Sequence, residues 1–155
     1  MYYIILITAL IIVDQWTKHL TVTNFVEGQS FPLVFDFFHL TYVKNRGVAF
    51  GMFQGKIPII SVVTVLAILG IGWYLVKSVK DKKNKLENIA YAFILSGAIG
   101  NMIDRATRGF VVDMMDFRGI WSYVFNLADV WINVGVAFIL LSEFMSSRKK
   151  KEQEK

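Results

Sequence analysis

Ile57 to Val76 reads IPIISVVTVLAILGIGWYLV, a run without one charged side chain. As a helix it is long enough to cross a hydrocarbon core of about 30 Å. Pro58 falls in the first turn, where a missing N–H is harmless. Trp73 and Tyr74 mark the far end as interfacial aromatics do. The lysine-rich stretch Lys77 to Lys85 follows at once, and Arg148 to Lys155 repeats that composition after a later apolar run. Basic residues gathered beside apolar runs are the positive-inside pattern of a membrane protein, not the stripe of a nucleic-acid binder, despite a net charge of +5.

Composition agrees. The chain is 55% apolar with a mean hydropathy of +0.48, above the soluble range. Its 155 residues make one domain. Cysteine is absent, which excludes disulfides, thiolate metal sites and cysteine nucleophiles.

Four spans are expected, over about 2–20, 57–76, 86–104 and 126–145, within one polytopic domain covering 1–147. The first is the least regular, because reaching Leu20 brings Asp14, Gln15, Lys18 and His19 into or near the membrane. No Lys or Arg precedes it and no small-residue site follows, so a cleavable signal peptide is not expected. Asp14 and Lys18 stand four apart in the favourable acid-before-base order. A snorkelling lysine with a local ion pair explains them as well as a brace for a polar site does. Thr21 to Lys56 lacks a helical pattern: Pro32 breaks it, and Phe37 to Val43 is rich in aromatic and β-branched residues. Turn chemistry follows at Asn45-Arg46-Gly47. Short strands forming an extramembrane β platform are expected there, with Phe31, Phe35, Phe37, Phe38, Tyr42, Phe50 and Phe53 suited to the bilayer interface. Residues 106–125 read as an outer connection, and 148–155 as a disordered charged cytoplasmic tail. The fold class is therefore membrane all-α with a small β component, both termini cytoplasmic.

The polar residues then converge on the outer side. Ser96, Gly97, Ala98 and Gly100 let helices approach closely, while Gly97, Asn101 and Arg105 recur at one-turn spacing with Asp104 beside them. Asn126, Asp129 and Asn133 share one helix face. Asp113 closes Val111-Val112-Asp113. Ionisable groups at the mouths of spanning helices mark functional sites by default. Only His19 and His39 represent histidine, in unpatterned settings, and H-E-x-x-H and Gly-rich phosphate loops are absent. No metal or cofactor is expected. Two neighbouring carboxylates do not both ionise readily, so such a pair can activate water and polarise a carbonyl. A hydrolase, a small proton-coupled transporter using the same carboxylates, and a purely structural polar cluster all remain open on these signals.

The motifs resemble those of the lipoprotein signal peptidases, or signal peptidase II. Asp14-Gln15-Trp16-Thr17-Lys18 is similar to D-x-x-T-K, and Asn45 to Gly51 is similar to N-x-G-x-A-F/W-G. Ser96 to Arg105 resembles G-G-A-x-G-N-x-x-D-R with Ser for the first Gly. Val111-Val112-Asp113 and Phe125-Asn126-Leu127-Ala128-Asp129 resemble the motifs that bear the family's aspartates. The resemblance implies four transmembrane helices, a β platform and a mobile extracytoplasmic segment over the site. It implies an aspartic endopeptidase of the bacterial cytoplasmic membrane that cuts before a diacylglyceryl-cysteine. Carried over by position, Asp113 and Asp129 are the catalytic pair. Asn45, Gly47, Asn101, Arg105 and Asn126 bind substrate, and Asp14, Lys18 and Asp104 support them. Lipidated prolipoproteins, membrane lipid and globomycin-type cyclic peptides are the implied partners, with no nucleic acid and a monomeric state. Asp116 rivals Asp113 but is expected to be a solvated loop acid. The stretch between Asp113 and Asp129 is expected to be a movable cover.

Overall fold

The computed structural model describes residues 2–47, 56–81 and 84–153, with side chains to residue 148. Four helices carry the fold: α1 (Tyr2–Asn24), α2 (Ile57–Lys80), α3 (Lys85–Arg108) and α4 (Leu127–Gln153). Each is long and apolar enough to cross a membrane. Three strands, β1 (Ser30–Val34), β2 (Phe38–Asn45) and β3 (Val111–Phe117), form one antiparallel sheet in the order β1-β2-β3.

α3 is the hub, packing against α1, α2 and α4. Small residues make this possible. A Cβ added at Gly97 would strike the carbonyl of Ala128 and the side chain of Ile132. One added at Gly135 would come within 2.6 Å of the carbonyl of Ala90. Without a hydrophobic drive between helices in lipid, such close backbone approach supplies the van der Waals contact that holds them.

α1 is inverted relative to a helix in water. Its buried residues are Asp14, Lys18 and Thr21, on one stripe, while Ile4, Ile5, Ile12 and Trp16 face outward. α2 likewise turns Val62, Leu66, Leu69 and Trp73 outward. Lipid accepts the apolar faces, and the polar stripe finds its partners inside the bundle.

Several expectations need correction. α1 runs on to Asn24, and the Thr21 and Thr23 hydroxyls there are satisfied by carbonyls of the preceding turn. α4 continues through Gln153, so the described part of the charged tail is helical and not disordered; Lys, Arg, Glu and Gln are good helix formers with no stop signal among them. The largest correction concerns 106–125. It contains β3, whose residues pair with β2 in fixed register, Val43 opposite Asp113 and Asn45 opposite Val111. Asp113 thus stands on a strand, not on a movable cover. Phe50 and Phe53, and the family-like Val48 to Gly51, lie outside the described residues.

β3 is tied down on both faces. Val112 and Met114 join Tyr42 in a buried cluster against Val22 and Phe25. Val111 and Asp113 point the other way, with Val43 and Asn45 beside them, into a cleft. A one-residue register slip in the β2–β3 pair, between Leu40 and Val43, re-aims the β2 side chains beyond it. α3 ends at Gly109 in the left-handed conformation (φ 74°), its N–H returning to the Arg105 carbonyl, which turns the chain directly into β3.

Candidate active site

The cleft measures about 1080 Å³ and opens between the sheet, the C-terminal end of α3, the first turns of α4 and the connection Ile120 to Phe125. Asp113 and Asp129 both line it, with Asn45, Asn101 and Arg105. The two acids are joined through one residue. Asn126 donates from Nδ2 to Oδ1 of Asp113 at 2.5 Å. Its Oδ1 accepts from the Asp129 N–H at 3.1 Å, and its own N–H donates to Oδ2 of Asp129 at 3.2 Å. Asn126 is thus the N-cap of α4 in a reciprocal capping arrangement, and its amide also fixes Asp113.

Each acid has a second amide donor. Asn45 Nδ2 meets Oδ2 of Asp113 at 3.0 Å, and Asn101 Nδ2 meets Oδ1 of Asp129 at 2.9 Å. Both amides are locked in orientation because their oxygens are occupied. Asn45 Oδ1 accepts from the Gly47 N–H, and Asn101 Oδ1 accepts from Lys18 Nζ at 2.8 Å.

Behind this layer lies a dry ionic cluster. Lys18 is wholly buried and reaches Asp14 at 3.0 Å and Asp104 at 3.5 Å. Asp14 Oδ1 accepts from the Ala128 N–H at 2.9 Å, so α1 caps the helix that carries Asp129. Asp104 Oδ2 accepts from the Val112 N–H at 2.9 Å, so α3 anchors the strand that carries Asp113. Gln15 links α1 to the Gly100 carbonyl at 3.0 Å. Arg105 donates from Nη2 to the Gly47 carbonyl at 2.9 Å, and its buried Nε has no acceptor among the described residues.

Asp113 is 2% exposed. Burial, reinforced by the negative charge of Asp129, pushes its carboxyl up to about 7; the Asn45 and Asn126 hydrogen bonds and the Lys18 charge oppose the rise. An acid with that pKa is part protonated near neutral pH, as an acid/base group should be.

Every site residue expected from the sequence therefore falls on the cleft or directly behind it. Asp116 does not. It accepts from Thr41 at 2.7 Å and pairs with Arg118 at 3.2 Å, on the face of β3 away from Asp113. The sequence reading gives Gln15 no role, and it places Ile120 to Phe125 only within the stretch expected to cover the site, not as a wall of the cleft. Trp121 and Tyr123 stand in this wall, and the Met115–Phe125 bridge that folds it over the site joins residues ten apart across the connection, which local pattern does not show.

Comparison with known proteins places this geometry in context. The family described as Signal peptidase (SPase) II matches residues 6–145. A lipoprotein signal peptidase of Fusobacterium nucleatum is 54% identical over 97% of this chain and 91% of its own length. One from Clostridioides difficile is 43% identical over 91% of this chain and 93% of its own. A solved structure described as a bacterial membrane enzyme superposes with a TM-score of 0.88 at 29% identity, covering 97% of this chain and 92% of that one.

Proposed function

The chain belongs to the signal peptidase II family, and on that premise we propose that Asp113 and Asp129 jointly activate the water that cuts a signal peptide from a prolipoprotein, just before a diacylglyceryl-cysteine. The observation that carries this reading is the double engagement of Asn126, which holds one acid by its side chain and the other by its backbone. The pair shares one proton, held by Asp113 in the free enzyme. The Asp129 carboxylate takes a proton from water while Asp113 donates a hydrogen bond to the scissile carbonyl and polarises it. The proton gained by Asp129 then passes to the leaving amine. No metal and no covalent intermediate enter. Arg105, whose guanidinium lies at the cleft, suits a backbone carbonyl of the substrate.

The lipid stays in the membrane while the peptide bond enters the cleft. Phe31, Leu33, Val34 and Phe35 stand exposed on and beside β1, as suits a platform resting on the bilayer surface. Lys77 stacks over Trp73 and Arg148 over Phe144, anchors that fit a cytoplasmic end opposite the cleft and hence cytoplasmic termini. A monomer is the state proposed, since both acids and the amides that hold them lie on the same chain. Globomycin-type cyclic peptides should compete for the same space.

The test is cleavage of a lipidated precursor by purified protein. Asp113→Asn and Asp129→Asn should each abolish turnover while the proteins remain folded, and Asp116→Asn should retain most of it. Near wild-type activity in either of the first two removes that aspartate from the pair. Complete loss in Asp116→Asn shows that the wrong acid of β3 was chosen.

A further inference from the structure

One polar group on the cleft wall has no part in the mechanism above. Asn133 lies one turn beyond Asp129, about 6 Å further along α4. Its side chain is exposed and lines the cleft. Nδ2 donates once, to the Asp129 carbonyl at 2.9 Å. The second N–H and the oxygen have no partner among the described residues. Around it on the same arc stand Val130, Val134 and Ala137, all on the cleft. The opposite arc is committed to α3, through Ala128, Ile132 and Gly135.

An open amide on an apolar wall within a membrane span is unfavourable unless something bonds to it. An apolar residue there would pack as well and carry no such penalty. The group that bonds it must be polar and uncharged. The cations of the cleft, Lys44 and Arg105, come from β2 and the outer end of α3, and the α4 wall from Val130 to Ala137 carries none. That wall does not suit a phosphate, which calls for cations. It suits an ester carbonyl, which only accepts. In a diacylglyceryl-cysteine the nearer ester carbonyl lies about seven bonds from the scissile nitrogen, a reach compatible with one helical turn.

We propose that Asn133 is a specificity-determining residue that donates to a glyceryl ester of the substrate, with Val130, Val134 and Ala137 forming the bed for the adjoining acyl chain. The proposal rests on the reading of Asp113 and Asp129 as the reacting acids. It makes recognition of the lipid chemical, through the ester, as well as hydrophobic.

The experiment compares two synthetic precursors, one bearing a diacyl ester glycerol and one bearing the matched dialkyl ether. Wild-type KM should be about fivefold to tenfold lower for the ester, the worth of one hydrogen bond, with kcat little changed. Asn133→Leu should raise KM for the ester by that factor and leave the ether unaffected; Asn133→Thr, which keeps a donor, should recover part of the difference. Equal KM for the two precursors in the wild type overturns the proposal without any variant. So does an Asn133→Leu effect of the same size on both, which would make Asn133 a packing residue. Asp129→Asn is carried alongside: turnover by that variant sinks the acid pair but leaves the ester preference readable.

Discussion

Replacing Asp113 by Asn should stabilise the protein, and by an amount that depends on pH. The buried carboxyl has its pKa pushed from an ordinary 3.8 up to about 7, so the folded state keeps a proton that the unfolded chain has released. Stability therefore falls as pH rises, from the point where the unfolded acid ionises until the folded one does. Between about pH 5 and about 7 the two states differ by nearly one proton. At about 1.4 kcal/mol per pH unit, the wild type loses about 3 kcal/mol over that window. An Asn at 113 resembles the neutral acid and loses nothing there. It does leave Asn45 or Asn126 facing an NH₂ group, since both now donate to Asp113, an offset of about 1–3 kcal/mol that does not vary with pH. The quantity to measure is the stability difference between Asp113→Asn and wild type, by thermal unfolding in the same detergent, at about pH 5 and about pH 8. It should move in favour of the variant by about 3 kcal/mol. A difference that stays flat, or moves toward the wild type, refutes the claim that this acid is buried and neutral in the free enzyme.

Two further outcomes follow from the packing behind the site. Lys18→Met removes the cation shared by Asp14 and Asp104; Asp104 keeps Arg108 at 3.1 Å, but Asp14 is left buried without a cation. A loss of about 3–5 kcal/mol is expected in the same unfolding assay, partly recovered by adding Asp14→Asn. Gly97→Ala should drive α4 away from α3, since the new methyl meets Ala128 and Ile132, and should lower both melting temperature and precursor cleavage. Gly70→Ala meets no atom within 4 Å and should change neither.

How far the chain could be read before folding depended on which forces act locally. Span positions follow from hydropathy, and the stripe of Asp14 and Lys18 follows from helical spacing, because both are properties of contiguous residues. The convergence of Asp14, Asn101 and Asp104 on Lys18 is legible only as sidedness; which amide meets which acid depends on helix contacts that spacing does not carry. β3 escaped notice for a physical reason. Val111, Val112, Met114 and Met115 are apolar on both faces, one packed against the end of α1 and the other turned to the cleft, so the alternation that announces a half-buried strand is missing. Its partner β2 lies far away in the chain. Helical continuation past Arg148 runs against the expectation of disorder because a charged run says little about backbone, while Lys, Arg, Glu and Gln all favour helix.

The caps that α1 and α3 place on the acid-bearing elements also set a schedule for biosynthesis. Lys18 leaves the ribosome early, but Asn101, its amide partner, comes 83 residues later, and the Ala128 N–H awaited by Asp14 comes 114 residues later. Until the last helix inserts, the first holds charges without their full set of partners, and Asp113 has no Asn126 to orient it. If Asp113 and Asp129 are the reacting acids, as proposed, a half-made chain is a membrane-embedded precursor without the second of them. On the proposed reading, proteolytic competence arrives with the final span, at the same moment that Asp14 receives its last hydrogen bond from the Ala128 N–H, so an incomplete copy cannot cut its neighbours.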